Sequence, residues 1–452
     1  MKIDAVKIEE LIKNADPSLA NVASILEKAS AGEGLGLEDA ATLLSVTGEE
    51  ALQALYGKAG EIKERVFGKR VVLFAPLYLS NHCTNGCVYC GFRSANKTVA
   101  RKALTVPEAV REARALEEMG FKRALLVTGE DPRWGVDYIV SCVRAIYENT
   151  GIRIIHLNAP PVSVDDLRKL KASGAGVYQA FQETYYRPAY EKTHPWGAKK
   201  DFDYRLDCMD RAIDAGFQDV GIGPLLGLYD YKFDCLATIA HSMHLYEKYG
   251  THAHTISIPR LRPAEDMAFA GAPYPVSDED FMKIAAVFRL SVPSAGLVIT
   301  TREPAGLRNR LLHIGASQMS AGSRTDPGGY TGGKKDTLEQ FSTTDHRGLV
   351  EVMRSVVDEG FLPSLCTTCY RVGRVGGEFT EKAVSGQMEK FCQANAILTL
   401  KEYVLDHMKN GTREAIELAV DKALAGVKDP ALKKGLIEKL GELEAGKRDL
   451  FF

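Results

Sequence analysis

Residues 71–90 read Val71-Val72-Leu73-Phe74-Ala75-Pro76-Leu77-Tyr78-Leu79-Ser80-Asn81-His82-Cys83-Thr84-Asn85-Gly86-Cys87-Val88-Tyr89-Cys90. A strand-like stretch runs straight into three cysteines spaced CxxxCxxC, with an aromatic residue before the last. Three thiolates on one short loop can hold three irons of a cubane and leave the fourth iron open to chelate a substrate. Full cysteine ligation gives an electron carrier; a missing ligand points to chemistry at the cluster. Zinc is the competing metal: it takes four protein ligands, or three and a water at a catalytic site, and His82 would complete a Cys3His set. A disulfide framework fits poorly. The nine cysteines are an odd number, and Met1-Lys2-Ile3-Asp4 lacks the apolar stretch of a secretory signal.

Outward from this loop, the bulk composition predicts a cytoplasmic protein with a large core. Its 452 residues are 45% apolar, enough for a large core. The formal net charge of −2 comes without a basic tract for nucleic acid. No apolar run approaches the ~18 residues of a membrane span. A reducing cytoplasm keeps thiols free to ligate iron.

Residues 1–70 read as helices, with Ile8, Leu11 and Ile12, then Val22, Ile25 and Leu26, at helical spacing. From 71 to 323, strand and helix patterns alternate. The strands are predicted at 71–79, 124–128, 153–157, 177–181, 219–222, 254–258, 297–301 and 317–321. Helices are predicted between them at 107–119, 136–149, 164–172, 204–215, 236–248, 278–289 and 307–313. Eight such units predict an α/β fold of the (β/α)8 TIM-barrel type rather than a doubly wound sheet. Residues 324–452 form a second, helical module. It opens with Gly328-Gly329-Tyr330-Thr331-Gly332-Gly333 and carries Cys366-Thr367-Thr368-Cys369, then Cys392 after 22 intervening residues. Again three cysteines suit a cluster with an open iron, with a zinc knuckle or redox CxxC as alternatives. Cys142, Cys208 and Cys235 stand singly in helical patterns and read as buried apolar residues.

Barrel active sites form where strands end, so the residues after each predicted strand are the candidates. The second strand ends Val127-Thr128-Gly129-Glu130. A glycine admits a ligand to the backbone, and a carboxylate accepts bonds from an ammonium. The fourth ends Gln182-Glu183-Thr184-Tyr185, and Arg205 opens the next helix. A guanidinium pairs with a carboxylate through two parallel bonds; the ordinary alternative is a surface ion pair within a helix. The fifth ends Gly221-Ile222-Gly223-Pro224, where glycine also marks simple turns.

These elements together resemble the radical S-adenosylmethionine (SAM) superfamily. Within it, the chain resembles the tyrosine lyases of FeFe-hydrogenase maturation. That resemblance rests on CxxxCxxC, Thr128-Gly129-Glu130, the run His254-Thr255-Ile256-Ser257-Ile258-Pro259-Arg260-Leu261-Arg262-Pro263, Ser320-Ala321-Gly322-Ser323 and the C-terminal cysteine set. It spans essentially the whole chain. It implies a radical SAM barrel at 71–323 and an auxiliary-cluster domain at 324–452. It implies two 4Fe-4S clusters, one held by Cys83, Cys87 and Cys90 with Tyr89 beside it, the other by Cys366, Cys369 and Cys392. Gly129 and Glu130 would take the SAM amino group, Glu183 the ribose, Arg205 the carboxylate, and Gly221, Ile222 and Gly223 the adenine. Members cleave L-tyrosine to p-cresol and dehydroglycine, and dehydroglycine yields carbon monoxide and cyanide at the second cluster. An additional iron, linked to that cluster through a free cysteine, carries the products away. His254, on a strand end expected to face the barrel mouth, is the candidate protein ligand for that iron, with His252 as the substitute and a structural histidine as the alternative. Arg302 and Arg324 are candidates for the tyrosine carboxylate. A ferredoxin- or flavodoxin-like reductant and other hydrogenase maturation proteins are the expected partners. Two rival functions share much of the pattern: a tyrosine lyase of thiazole (thiamine) synthesis that stops at dehydroglycine, and a non-enzymatic two-cluster carrier or scaffold.

Overall fold

A computed structural model describes residues 1–264, 267, 271–332, 339–408 and 412–452. Gly333 of the glycine-rich run lies outside the described residues.

The apolar run after Lys69 becomes β1, Arg70–Ser80, buried along its length except at Pro76. A strand apolar on both faces belongs inside a parallel sheet covered by helices. Seven more strands follow: β2 (Arg123–Thr128), β3 (Ile154–Asn158), β4 (Val177–Gln179), β5 (Asp219–Ile222), β6 (Thr255–Ser257), β7 (Gly296–Ile299) and β8 (Gln318–Ser320). They pair in sequence order, and β1 closes the ring against both β8 and β2. The predicted (β/α)8 barrel is therefore present. Its crossover helices begin with built caps: Thr105 and Glu108 form a capping box before Val106–Glu118, and Ser163 caps Val164–Ala172. Four helices precede the barrel, and the last, Glu49–Phe67, packs against Asp278–Ser291 and Ala305–Ile314. No helix among the described residues is long and apolar enough to cross a membrane.

Two departures from the expected elements matter. The helix expected at 204–215 is divided into Phe202–Leu206 and Cys208–Asp214, and a further helix, Arg187–Thr193, precedes it. The chain from 187 to 200 thereby folds over the barrel mouth. The second departure is β9, Leu362–Ser364, which pairs with Arg70–Val72 at the start of β1. The C-terminal segment thus joins the barrel sheet at the end opposite the mouth, and delivers Cys366 there. Helices Gly376–Val384 and Met388–His407 complete that end.

Candidate active site

The loop after β1 brings Cys83, Cys87 and Cys90 to one wall of a large cavity at the C-terminal ends of the strands. The segment 187–200 clamps this loop: Gly86 N–H donates to the Trp196 carbonyl at 3.0 Å and Val88 N–H to that of Thr193 at 3.1 Å. Tyr89, buried beside the cysteines, places its hydroxyl 2.9 Å from His194 Nε2. Gly129 sits against the same loop. A Cβ there would come within 2.2 Å of the His82 carbonyl, so only glycine permits this approach.

Two ion pairs line the same cavity beside the cysteine loop, tied to it through Asn85. Arg205 donates to Glu130 at 2.8 Å, and Lys199 to Glu183 at 2.6 Å. Arg205 is turned inward by its Nε, which donates to the Phe181 carbonyl at 2.7 Å. Glu130 also accepts from Asn85 at 2.6 Å. Burial pushes the Glu130 carboxyl up, but Arg205 and Lys199 outweigh it and hold it below the usual range. Burial acts against the charge of Arg205 and Glu130 restores it, so the guanidinium stays protonated. Glu183 takes a left-handed backbone, φ 71°, uncommon outside glycine and held here by its neighbours. Leu225 N–H donates to its carbonyl at 2.7 Å, and buried Asp234 accepts from Thr184 Oγ1 and Tyr185 N–H just beyond it, at 3.0 and 2.8 Å.

Lys199 is the residue sequence reading missed. It lies in the mouth-covering segment, and nothing in its local pattern marks it. Its interest could have been raised only by the unusual distance from β4 to the next full helix.

Of the two arginines expected to meet the substrate, Arg302 lines the cavity and rests on the Phe341 ring at 3.4 Å. Among the described residues it forms no ion pair, and its guanidinium donates only a long bond, to the Arg260 carbonyl at 3.5 Å. Arg324 is exposed and does not line the cavity. Gly221, Ile222 and Gly223 do not line it either. Gly221 and Gly223 instead let β5 pack closely on β6, since a Cβ at Gly223 would meet the Ser257 carbonyl at 2.0 Å. His82 lies beside Trp134 and Arg133, outside the cavity wall.

The other cysteine set lies at the barrel floor. Cys366, Cys369 and Cys392 line a smaller cavity with Phe67, Arg70, Arg123, His254 and Tyr370. Here the expected position of His254 is corrected. It precedes β6, and the start of a barrel strand faces the floor, so its side chain lies with the second cysteine set and not at the mouth. Its Nε2 is 2.8 Å from the Tyr370 hydroxyl and its Nδ1 is 3.2 Å from Asp219. The contact with Asp219 is one of proximity only: Nδ1 is buried and makes no hydrogen bond among the described residues, so the Tyr370 hydroxyl is the partner that holds the ring. His252 is corrected too: it lies before the strand, so strand alternation does not govern it. It stacks on Tyr246 at 4.5 Å and contacts Ser242, away from the floor cavity.

Both triads fit iron–sulfur clusters by donor chemistry. All nine cysteines are free. Burial pushes the Cys83 thiol up to about 11 and raises Cys87, Cys90, Cys369 and Cys392 as well. Thiolates so buried, and repelling each other, persist against a cation such as a metal centre. Among the described residues no three His, Cys, Asp or Glu are gathered closely enough for a single metal ion; the triads instead surround cavities. At the floor, the buried Nε atoms of Arg70 and Arg123 lack partners among the described residues, which suits an anionic occupant.

A closed parallel barrel with three free cysteines after its first strand, and paired Glu130 and Arg205 beside them, defines a radical SAM enzyme. Residues 77–241 match the radical SAM superfamily, and residues 257–362 match the biotin and thiamin synthesis associated domain. The 2-iminoacetate synthase of Escherichia coli is 34% identical over 344 residues, covering 75% of this chain and 89% of that protein. The crystal structure of HydG, a maturase of the FeFe-hydrogenase, matches all of this chain and 99% of that one, with a TM-score of 0.96 and 44% identity. HydG from Carboxydothermus hydrogenoformans matches 96% of this chain and 97% of that one, at a TM-score of 0.86 and 37% identity. The chain belongs to the HydG family of radical SAM proteins.

Proposed function

We propose that the protein is a carbon–carbon lyase that cleaves L-tyrosine to p-cresol and dehydroglycine, and converts dehydroglycine to carbon monoxide and cyanide for assembly of the FeFe-hydrogenase cofactor. The observation that carries this reading is a second triad of free cysteines at the floor of the barrel whose mouth holds the first. The match to the 2-iminoacetate synthase covers three-quarters of the chain.

At the mouth, a reduced 4Fe-4S cluster on Cys83, Cys87 and Cys90 would supply the electron that splits SAM into methionine and a 5′-deoxyadenosyl radical. Glu130 and Arg205 are complementary to the amino-acid end of SAM. The carboxylate receives the ammonium, the guanidinium receives the carboxylate, and the 2.8 Å pair they form opens to admit both. Gly129 keeps the backbone low enough for that approach. Glu183, held by Lys199, accepts from ribose hydroxyls. Arg302 takes the tyrosine carboxylate, its guanidinium already oriented by Phe341. The segment 187–200 covers the cysteine loop and excludes water.

At the floor, Cys366, Cys369 and Cys392 would hold an auxiliary cluster, and His254 with a free cysteine would bind an additional iron; together these would supply the metal chemistry that releases carbon monoxide and cyanide from the two-carbon fragment. The His254 nitrogen that would bind this iron is Nε2, which the Tyr370 hydroxyl contacts at 2.8 Å. The same reading divides the chain into helices at 1–70, the barrel at 71–323 and the auxiliary-cluster segment at 324–452. It places the protein in the cytoplasm with a ferredoxin- or flavodoxin-like reductant and other maturation proteins.

The test is anaerobic turnover of reconstituted protein with tyrosine, SAM and dithionite. The expected products are 5′-deoxyadenosine, p-cresol, cyanide and carbon monoxide. p-Cresol with glyoxylate and no carbon monoxide would instead place the chain with the 2-iminoacetate synthases. Absence of SAM cleavage by cluster-replete protein would overturn the reading.

A further inference from the structure

The two cavities share a wall. Arg123 and Gln318 line both. Arg123 opens β2 and Gln318 opens β8, the two strands that flank β1 in the closed ring. Both are buried, at 5% and 7% exposure. One end of the Arg123 guanidinium is committed: Nη2 donates to the Cys366 carbonyl at 2.8 Å. Its Nε is buried and has no partner among the described residues, and no ion pair to a carboxylate forms there. His156, facing the mouth cavity from β3, adds a second buried nitrogen without a partner, Nε2. Burial, then the charges of Arg123 and His254, hold that imidazole well below its usual range, so it is neutral and adds polarity without charge.

A buried guanidinium with unused donors is costly unless an acceptor arrives. The tyrosine-lyase reading supplies one, and the present inference rests on that reading. Dehydroglycine leaves the mouth as a small carboxylate and must reach the floor. A carboxylate moving through a barrel interior needs a cation along the way. We propose that Arg123 and Gln318 form a carboxylate-binding station between the cavities, which accepts a two-carbon α-imino or α-oxo acid from the mouth and presents it to the floor. The guanidinium pairs with the carboxylate, and the Gln318 amide donates a further bond. Because Arg123 is tied to the carbonyl of Cys366 itself, the station is fixed relative to the floor cysteines.

The alternative role for Arg123 is to balance the charge of a metal centre at the floor, as Arg70 is placed to do. The experiment separates them. Arg123→Gln, Arg123→Lys and Gln318→Leu are reconstituted anaerobically, and iron per chain, p-cresol, cyanide and glyoxylate are measured. Dehydroglycine that misses the floor hydrolyses, the imine taking up water to give glyoxylate and ammonia. In Arg123→Gln, cyanide per p-cresol should fall about tenfold, with glyoxylate making up the difference and iron per chain unchanged. Arg123→Lys should recover only part of the ratio, since lysine keeps the charge and loses the planar fork. Gln318→Leu should show a smaller fall. In crystals of the parent protein soaked with glycolate, the carboxylate should lie on Arg123. An unchanged cyanide-to-p-cresol ratio in Arg123→Gln overturns the station. So does loss of floor iron in that variant, which assigns Arg123 to charge balance, and so does glycolate density elsewhere only. Failure of the parent to make p-cresol would instead refute the tyrosine-lyase reading.

Discussion

The mouth and the floor of this barrel each carry three free cysteines, yet they are built differently. Mouth cysteines come from eight consecutive residues on one loop, clamped by one segment. Floor cysteines come from the loop after β9 (Cys366), from the short helix Thr368–Arg371 (Cys369) and from a helix that starts at Met388 (Cys392), and their wall draws on Arg70 of β1, Arg123 of β2 and His254 before β6. The charges differ as well. At the mouth each carboxylate is paired with a cation, Glu130 with Arg205 and Glu183 with Lys199. At the floor, the Nε atoms of Arg70 and Arg123 are without partners among the described residues. A mouth of exchangeable pairs suits a zwitterion, whose two ends replace the two partners. Unused guanidinium donors on Arg70 at the floor, and on Arg123 between the two cavities, suit anions, and the mouth adds Arg302, which has no ion pair among the described residues.

The largest effect that tests this division belongs to the mouth. Cys87→Ala should reduce 5′-deoxyadenosine and p-cresol to background, since the loop can no longer hold the cluster that binds SAM. Undiminished 5′-deoxyadenosine would sink the assignment. The complementary change, Cys366→Ala with Cys369→Ala, should leave p-cresol formation in place and abolish carbon monoxide. Carbon monoxide at the parent rate would make the floor a structural metal site. Next in size is Glu130→Gln, which removes the charge from the residue proposed to receive the SAM ammonium. Loss of a charged hydrogen bond costs roughly 1.5–3 kcal/mol, so SAM affinity should drop about 10- to 150-fold while iron content holds. An unchanged dissociation constant removes Glu130 from the site.

Much of the mouth was legible in sequence because its parts are local: CxxxCxxC on one loop and Gly129-Glu130 directly after one strand. The barrel was legible for the same reason, as repeated alternation of strand and helix patterns. What escaped depends on contacts between distant segments. β9 is three residues, Leu362-Pro363-Ser364, and proline makes a poor strand signal; only its pairing with the start of β1 makes it a strand. Lys199 acquires its role from Glu183 across a loop. His254 was recognised as a residue type but assigned to the wrong end, because its neighbours there, Tyr370 and Phe379, come from more than a hundred residues away.

Smaller effects sharpen the comparison. His254→Ala should lower the additional iron while both clusters remain, because thiolate-held irons keep their protein bonds. Equal extra-iron signals in the parent and variant would make His254 structural. At the mouth, burial raises the Asp234 carboxyl to about 7 from an ordinary 3.8. The folded state therefore holds that proton more tightly than the unfolded chain. The stability this contributes is present below about pH 4 and is lost as pH rises through 7. Asp234→Asn should flatten the fall in melting temperature between pH 5 and 8. A parent–variant difference that does not change with pH would show that Asp234 does not titrate there.

The most direct test of two separate metal sites in one barrel is electron paramagnetic resonance of reduced, reconstituted protein, with and without SAM, in the parent and in the Cys366→Ala, Cys369→Ala variant. Two cluster signals are expected in the parent. Adding SAM should shift only one, and the variant should lose only the other. A single signal in the parent, or one signal that both responds to SAM and vanishes with the floor cysteines, would contradict the account.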